Sequence, residues 1–217
     1  MVADYFCQAC RTPFLNDAPL DENGRCGLCR RGLSGYDSAY AFGVYDGSLR
    51  ELIHLFKYGG VRPLAGPLGR LLLRAMPRER RFDVVVPMPM HWLRRWRRGF
   101  NQSKLLARIA AGRLSLPILN AVRRRRHTRP QAGLTNSQRR ANIAGAFAVT
   151  KSNAIRGRRV LLVDDVLTTG ATAAACARAL KDAGAKSVTL LVVARVDRRP
   201  SRLEDFPAAA PEAARTS

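Results

Sequence analysis

Two adjacent carboxylates, Asp164 and Asp165, are followed almost at once by Thr168, Thr169, Gly170, Ala171 and Thr172. Hydroxyl-bearing residues around a glycine, placed where a strand turns into a helix, are suited to an anion. The first backbone N–H groups of a helix are unpaired and its dipole is positive there. Gly170 lets the backbone approach the anion closely, and the threonine hydroxyls add donors. A phosphate monoester fits that cradle, whereas the two aspartates would repel it and need another task. A pair of carboxylates can accept hydrogen bonds from two neighbouring hydroxyls, as on a ribose ring. Diol and phosphate together describe a ribose 5-phosphate. The structural alternative is an ordinary strand, turn and capped helix, since Asp and Thr favour such boundaries.

Four of the five cysteines form a second constellation, Cys7-x2-Cys10 and Cys26-x2-Cys29, separated by fifteen residues. Each pair can offer two thiolates to one ion, so together they predict a closed tetrahedral zinc site with no open catalytic position. The metal would hold folded a segment too short to build its own core. Two disulfides or a redox Cys-x-x-Cys are the competing readings. Cys176 lies apart, in the helix after the phosphate turn, and reads as a buried structural thiol.

The elements that must position these groups are legible as patterns. Val160 to Val163 is a continuous apolar run, as expected of a parallel strand buried on both faces, with the carboxylates at its C-terminal end. Ala171 to Leu180 is helix-compatible, Gly184 stops that helix, and Ser187 to Arg195 forms a further apolar strand. Asp83 to Pro89 reads as another buried strand whose prolines mark the exit from the sheet. Upstream, Leu49, Leu52, Ile53 and Phe56 recur at helical spacing, leaving Lys57 near a helix end. Lys57 is then a substrate cation or a solvated C-terminal charge, and His54 a partly buried helix residue.

Beyond the Asp83 strand the chain reads H-W-L-R-R-W-R-R-G-F-N-Q, an arginine-rich loop where open α/β sheets bind ligands. It suits a pyrophosphate. The alternative is a solvated arginine surface with Trp92 and Trp96 packed into the core. Arg123 to Phe147 is polar and basic and predicts a long loop leading to a short strand from Ala146 to Val149.

The run from Val160 to Thr172 resembles the PRPP-binding motif of the type I phosphoribosyltransferases. With P-M-P…R-R-G-F-N-Q, T-R-P-Q…Q-R-R-A-N-I-A-G-A-F and the front cysteines in one order, the chain resembles the ComF family of competence-associated phosphoribosyltransferase-like proteins from residue 7 to about 195. The resemblance implies a doubly wound, mainly parallel α/β sheet carrying a zinc-ribbon-like segment. Residues 1–34 would form that segment, 35–200 the phosphoribosyltransferase-like domain and 201–217 a disordered tail. It implies that Asp164 and Asp165 hold the ribose hydroxyls of PRPP and that Thr168, Thr169, Gly170, Ala171 and Thr172 wrap its 5-phosphate. Arg94, Arg98, Gly99, Asn101 and Gln102 would grip pyrophosphate with Mg2+, and Thr128, Gln131, Arg139 and Asn142 would lie in or beside a lid. It also implies a role in DNA uptake, with single-stranded DNA and an uptake helicase as partners.

The 217 residues carry 38 Lys plus Arg against 16 Asp plus Glu, a formal net charge of +22. An excess that large favours polyanionic partners through counterion release, although an arginine-rich, alanine-rich composition also accompanies a GC-rich genome. A Walker-type P-loop is excluded, because Gly-x4-Gly-Lys-Ser/Thr occurs nowhere in the chain. No signal-like leader and no long apolar run are legible, so a cytoplasmic protein is expected.

Overall fold

The computed structural model describes residues 5–10, 12–14, 17, 20–30, 34–77, 81–90, 99–124 and 146–196. Its centre is a four-stranded parallel sheet of β3 (Ser38–Val44), β4 (Val84–Pro87), β7 (Arg159–Leu167) and β8 (Ser187–Arg195), ordered β3-β8-β7-β4. The two central strands are nearly continuous apolar runs because both of their faces are covered.

Alternate side chains divide the core into two layers. Leu161 and Val163 of β7 and Leu191 and Val193 of β8 meet Ile53 and Phe56 of α2 (Gly47–Tyr58), Leu68 and Leu72 of α3 (Ala65–Arg74), and Leu106 of α4 (Gln102–Leu114). Val160 and Leu162, with Val188, Leu190 and Val192, meet Cys176 and Leu180 of α6 (Ala171–Asp182). The cysteine segment joins this second layer, with Cys7, Cys10, Phe14, Cys26 and Tyr36 in the same buried cluster. That segment carries the short antiparallel pair β1 (Tyr5–Phe6) and β2 (Pro13–Phe14), and one helical turn, α1 (Gly27–Arg30). A second antiparallel pair joins β5 (Val122–Arg124) to β6 (Phe147–Val149), and the single turn α5 (Ser152–Ile155) leads into β7.

At the N-terminal rim of the sheet, Asp83 accepts three bonds from Arg159: from its backbone N at 2.7 Å, Nε at 3.0 Å and Nη2 at 2.6 Å. These bonds hold the Asp83 carboxyl down at about 2. At the opposite rim β7 runs past the aspartates, since its pairing with β8 continues to Leu167 opposite Arg195. Asp164 and Asp165 are thus strand residues within a maintained ladder, where the apolar run alone placed them at its end. His54 is exposed, its ring 4.7 Å from that of Tyr58, because α2 turns its 53 and 56 positions toward the sheet. Among the described residues no helix is long and apolar enough to cross a membrane.

Candidate functional site

The C-terminal ends of β4 and β7 bring two helix N-termini together. After β4, Met88 N bonds to Val163 O at 2.8 Å, and Asn101 Nδ2 donates to Met88 O at 3.1 Å. Asn101 is also the N-cap of α4, its side-chain oxygen accepting from Lys104 N at 3.4 Å. Gly99, at φ 71°, makes the left-handed turn before it and accepts at 3.5 Å from Arg62 Nη2. After β7, Gly170 caps α6 at φ 75°, a conformation that favours glycine. Thr168 is exposed, while Thr169, Ala171 and Thr172 are half-buried. Thr169 Oγ1 accepts from Ala171 N at 3.3 Å, closing the turn. The remaining free N–H groups of this first turn make a surface suited to a phosphate.

Between the two helix starts lie the carboxylates. Ser103, in the first turn of α4, donates through its hydroxyl to Asp164 Oδ1 at 2.7 Å, and Asp165 N donates to the same oxygen at 2.9 Å. Lys57 Nζ pairs with Asp165 Oδ1 at 2.8 Å, and the two side chains retain only 14% and 12% of their exposure. Burial, then the neighbouring Asp165 charge, pushes the Asp164 carboxyl up to about 7, against the opposing pull of Ser103 and Lys57. The Lys57 ammonium also lies 5.9 Å from the Tyr45 ring centroid.

The expected residues separate into distinct placements. Lys57 joins the carboxylates in a largely buried ion pair, so it is not a solvated helix-end charge. Gln102, expected to grip an anion, is wholly buried and instead donates from Nε2 to Lys57 O at 3.4 Å. Asn101 has both ends of its amide engaged by backbone. Arg94, Arg98, Thr128, Gln131, Arg139 and Asn142 lie outside the described residues. Ser103 went unread in the sequence, where a serine one position beyond a capped helix start carries no distinguishing pattern.

The second constellation is compact. The Sγ atoms of Cys7, Cys10, Cys26 and Cys29 all lie within 4.8 Å of one another, and Cys10 to Cys26 is 3.7 Å. All four are free thiols. Tetrahedral Zn–S bonds of about 2.3 Å place sulfurs slightly under 4 Å apart, so the donor set fits zinc. Cys26 N donates to Cys7 Sγ at 3.3 Å, and the Thr12 hydroxyl stands 3.0 Å from Cys10 Sγ. The hydrogen bond with Cys26, followed by burial, pushes the Cys10 thiol up, and burial raises Cys29 to about 12. A bound cation would reverse this by drawing off the protons. The cluster is anchored to the sheet: Ala39 N donates to Cys10 O at 2.8 Å, and the Arg195 guanidinium stacks 3.9 Å from the Phe14 ring centroid.

Comparison with known proteins identifies the family. Residues 97–207 match the phosphoribosyl transferase domain family. Competence protein F of Haemophilus influenzae is 35% identical over 178 residues, which cover 78% of each chain. The DNA utilization protein YhgH of Escherichia coli is 34% identical over 177 residues, 78% of this chain and 77% of that one. Competence protein ComFC of Bacillus subtilis is 28% identical over 157 residues, 70% of this chain and 62% of that one. With a parallel sheet, an Asp-Asp pair before a threonine-glycine turn and four clustered cysteines in one chain, the protein belongs to the phosphoribosyl transferase domain family, in its competence protein F group.

Proposed function

We propose that the protein binds PRPP, or a related ribose phosphate, at the C-terminal rim of the sheet. The observation that carries the reading is the adjacency of a carboxylate pair to a helix N-terminus whose N-cap, Gly170, supplies no side-chain cap. The backbone from Thr168 to Thr172 would hold the 5-phosphate, and Asp164 and Asp165 the ribose hydroxyls. Pyrophosphate would face the α4 start, where Arg94, Arg98 and Gly99 precede the Asn101 cap. Mg2+, when bound with PRPP, would supply charge neutralisation on the pyrophosphate. Lys57 offsets one of the two carboxylate charges, which eases the approach of a polyanion. If transfer occurs, the bond from the anomeric carbon to a pyrophosphate oxygen breaks as an acceptor's lone pair forms the new one. Gln131 and Arg139 would belong to a lid over that bond.

Residues 1–34 serve in this reading as a zinc-ribbon-like segment on a domain spanning 35–200, with 201–217 as a tail. Four cysteines gathered as one metal-type donor set, rather than paired in disulfides, suit a cytoplasmic protein. Calorimetry with Mg2+ and PRPP tests the proposal. Wild-type protein should bind, and Asp164→Asn with Asp165→Asn should abolish binding while leaving the fold intact. A folded wild type that gives no heat and no saturation would overturn it.

A second reading rests on the +22 charge and on relatives named for competence and DNA utilization. Here the protein is a non-catalytic accessory of DNA uptake, contacting single-stranded DNA through Arg94 to Arg98 and Arg123 to Arg126 and docking an uptake helicase. DNA affinity would then fall steeply with salt and be indifferent to the two aspartates.

A further inference from the structure

Each of the two carboxylates is held through one oxygen only. Asp164 Oδ1 receives both the Ser103 hydroxyl and the Asp165 N–H, and Asp165 Oδ1 receives Lys57. No described residue donates to either Oδ2. A carboxylate offers about four acceptor positions, and neither Oδ2 is sealed from water, so both remain open to a ligand hydroxyl. Two donors converging on one oxygen fix the plane of the Asp164 carboxyl and so the direction of its second oxygen. A serine in a helix's first turn commonly bonds its own backbone. Ser103 instead reaches across 61 positions to β7 and is itself 4% exposed. Its neighbour Gln102 holds the Lys57 carbonyl, so one turn of α4 is joined to both halves of the carboxylate arrangement.

We propose that Ser103 is a positioning residue that aims Asp164 Oδ2 at one ribose hydroxyl, while Lys57 leaves Asp165 Oδ2 for its neighbour, so that the site selects a ribose over a deoxyribose. This rests on the ribose-phosphate reading above and adds to it the source of the discrimination. Ser103 touches no ligand. Its contribution is orientation, and it belongs to one hydroxyl of the pair. Ser103→Ala frees the Asp164 carboxyl to rotate, whereas Ser103→Thr keeps the donor.

The test uses the full chain and three probes that share the 5-phosphate: ribose 5-phosphate, 2-deoxyribose 5-phosphate and 3-deoxyribose 5-phosphate. Wild type should prefer ribose 5-phosphate over both analogues. In Ser103→Ala, affinity for ribose 5-phosphate should fall about ten-fold, the order expected when one hydrogen bond that orients the carboxyl is lost. Affinity for one deoxy analogue should stay unchanged, so that discrimination at that hydroxyl vanishes, and Ser103→Thr should restore it. Circular dichroism and the thermal transition check that each variant folds. Equal weakening of all three probes, or unchanged discrimination in a folded Ser103→Ala, overturns the Ser103 assignment alone. A folded wild type that binds none of the probes overturns the ribose-phosphate reading and this assignment together.

Discussion

At the scale of single residues, the unusual feature is an acid whose burial favours its neutral form beside an acid held in an ion pair. Asp164 is raised to about 7 by burial and by Asp165, while Asp165 is neutralised by Lys57 at 2.8 Å. The folded state therefore holds a proton on Asp164 that the unfolded chain sheds above pH ~4. Stability from this group is complete below the unfolded value and is lost as pH rises through about 7. Urea unfolding at pH 5 and pH 8 should show a fall of roughly 2–4 kcal/mol from this source, and Asp164→Asn should flatten the profile. The Lys57 pair makes a complementary prediction. Lys57→Met strands a largely buried carboxylate and should cost about 3 kcal/mol, and adding Asp165→Asn should recover much of that loss. A double-mutant cycle read by urea denaturation checks the coupling, which would be near zero if the two side chains did not interact.

At the scale of elements, the site depends on how closely α4 packs. A Cβ built on Gly69 of α3 would stand 2.6 Å from Ile109 Cδ1 and 2.8 Å from its Cγ2, so glycine at this position sets the separation of α3 from α4. Gly69→Ala should destabilise by about 1–3 kcal/mol through overpacking. Because the shift falls on the helix that carries Ser103, affinity for PRPP should drop more than surface substitutions on α3 such as Arg70→Ala allow. Thermal melts and calorimetry on the two variants separate these effects. The same packing explains what was legible in the sequence. β7, β8, α6 and the threonine-glycine turn could be read because apolar runs, helix caps and turn chemistry are local. Lys57 was readable only as an alternative, since its partner lies over a hundred positions away in another element, and Ser103 was invisible for the same reason. Gln102 read as an anion ligand because it follows an arginine-rich loop, yet capping by Asn101 starts the helix at Gln102 and turns its side chain into the core.

At the scale of the molecule, the cysteine segment is continuous with the sheet. Cys7, Cys10, Phe14 and Cys26 share one buried cluster with Val160, Leu162 and Leu180. Ala39 N bonds to Cys10 O near the start of β3, and Phe14 stacks under Arg195 at the end of β8, so the segment runs from one rim of the sheet to the other. Removing a metal from the four cysteines should therefore loosen more than thirty residues. Four thiols, three of them buried, would then hold the protons that a bound cation draws off, and the cluster would expand against the β3 and α6 face. Chelation should lower the melting temperature of the whole chain in one transition, whereas a freely tethered segment would melt alone and leave the main transition in place. Phe14→Ala separates the two links. It removes a buried ring, 7% exposed, that bridges segment and sheet and supplies no metal ligand. It should cost about 3 kcal/mol. It should also make the main transition less sensitive to chelation without changing how much metal the protein takes up. Equal sensitivity in Phe14→Ala and wild type would show that the coupling runs through the Cys10 and Ala39 backbone instead.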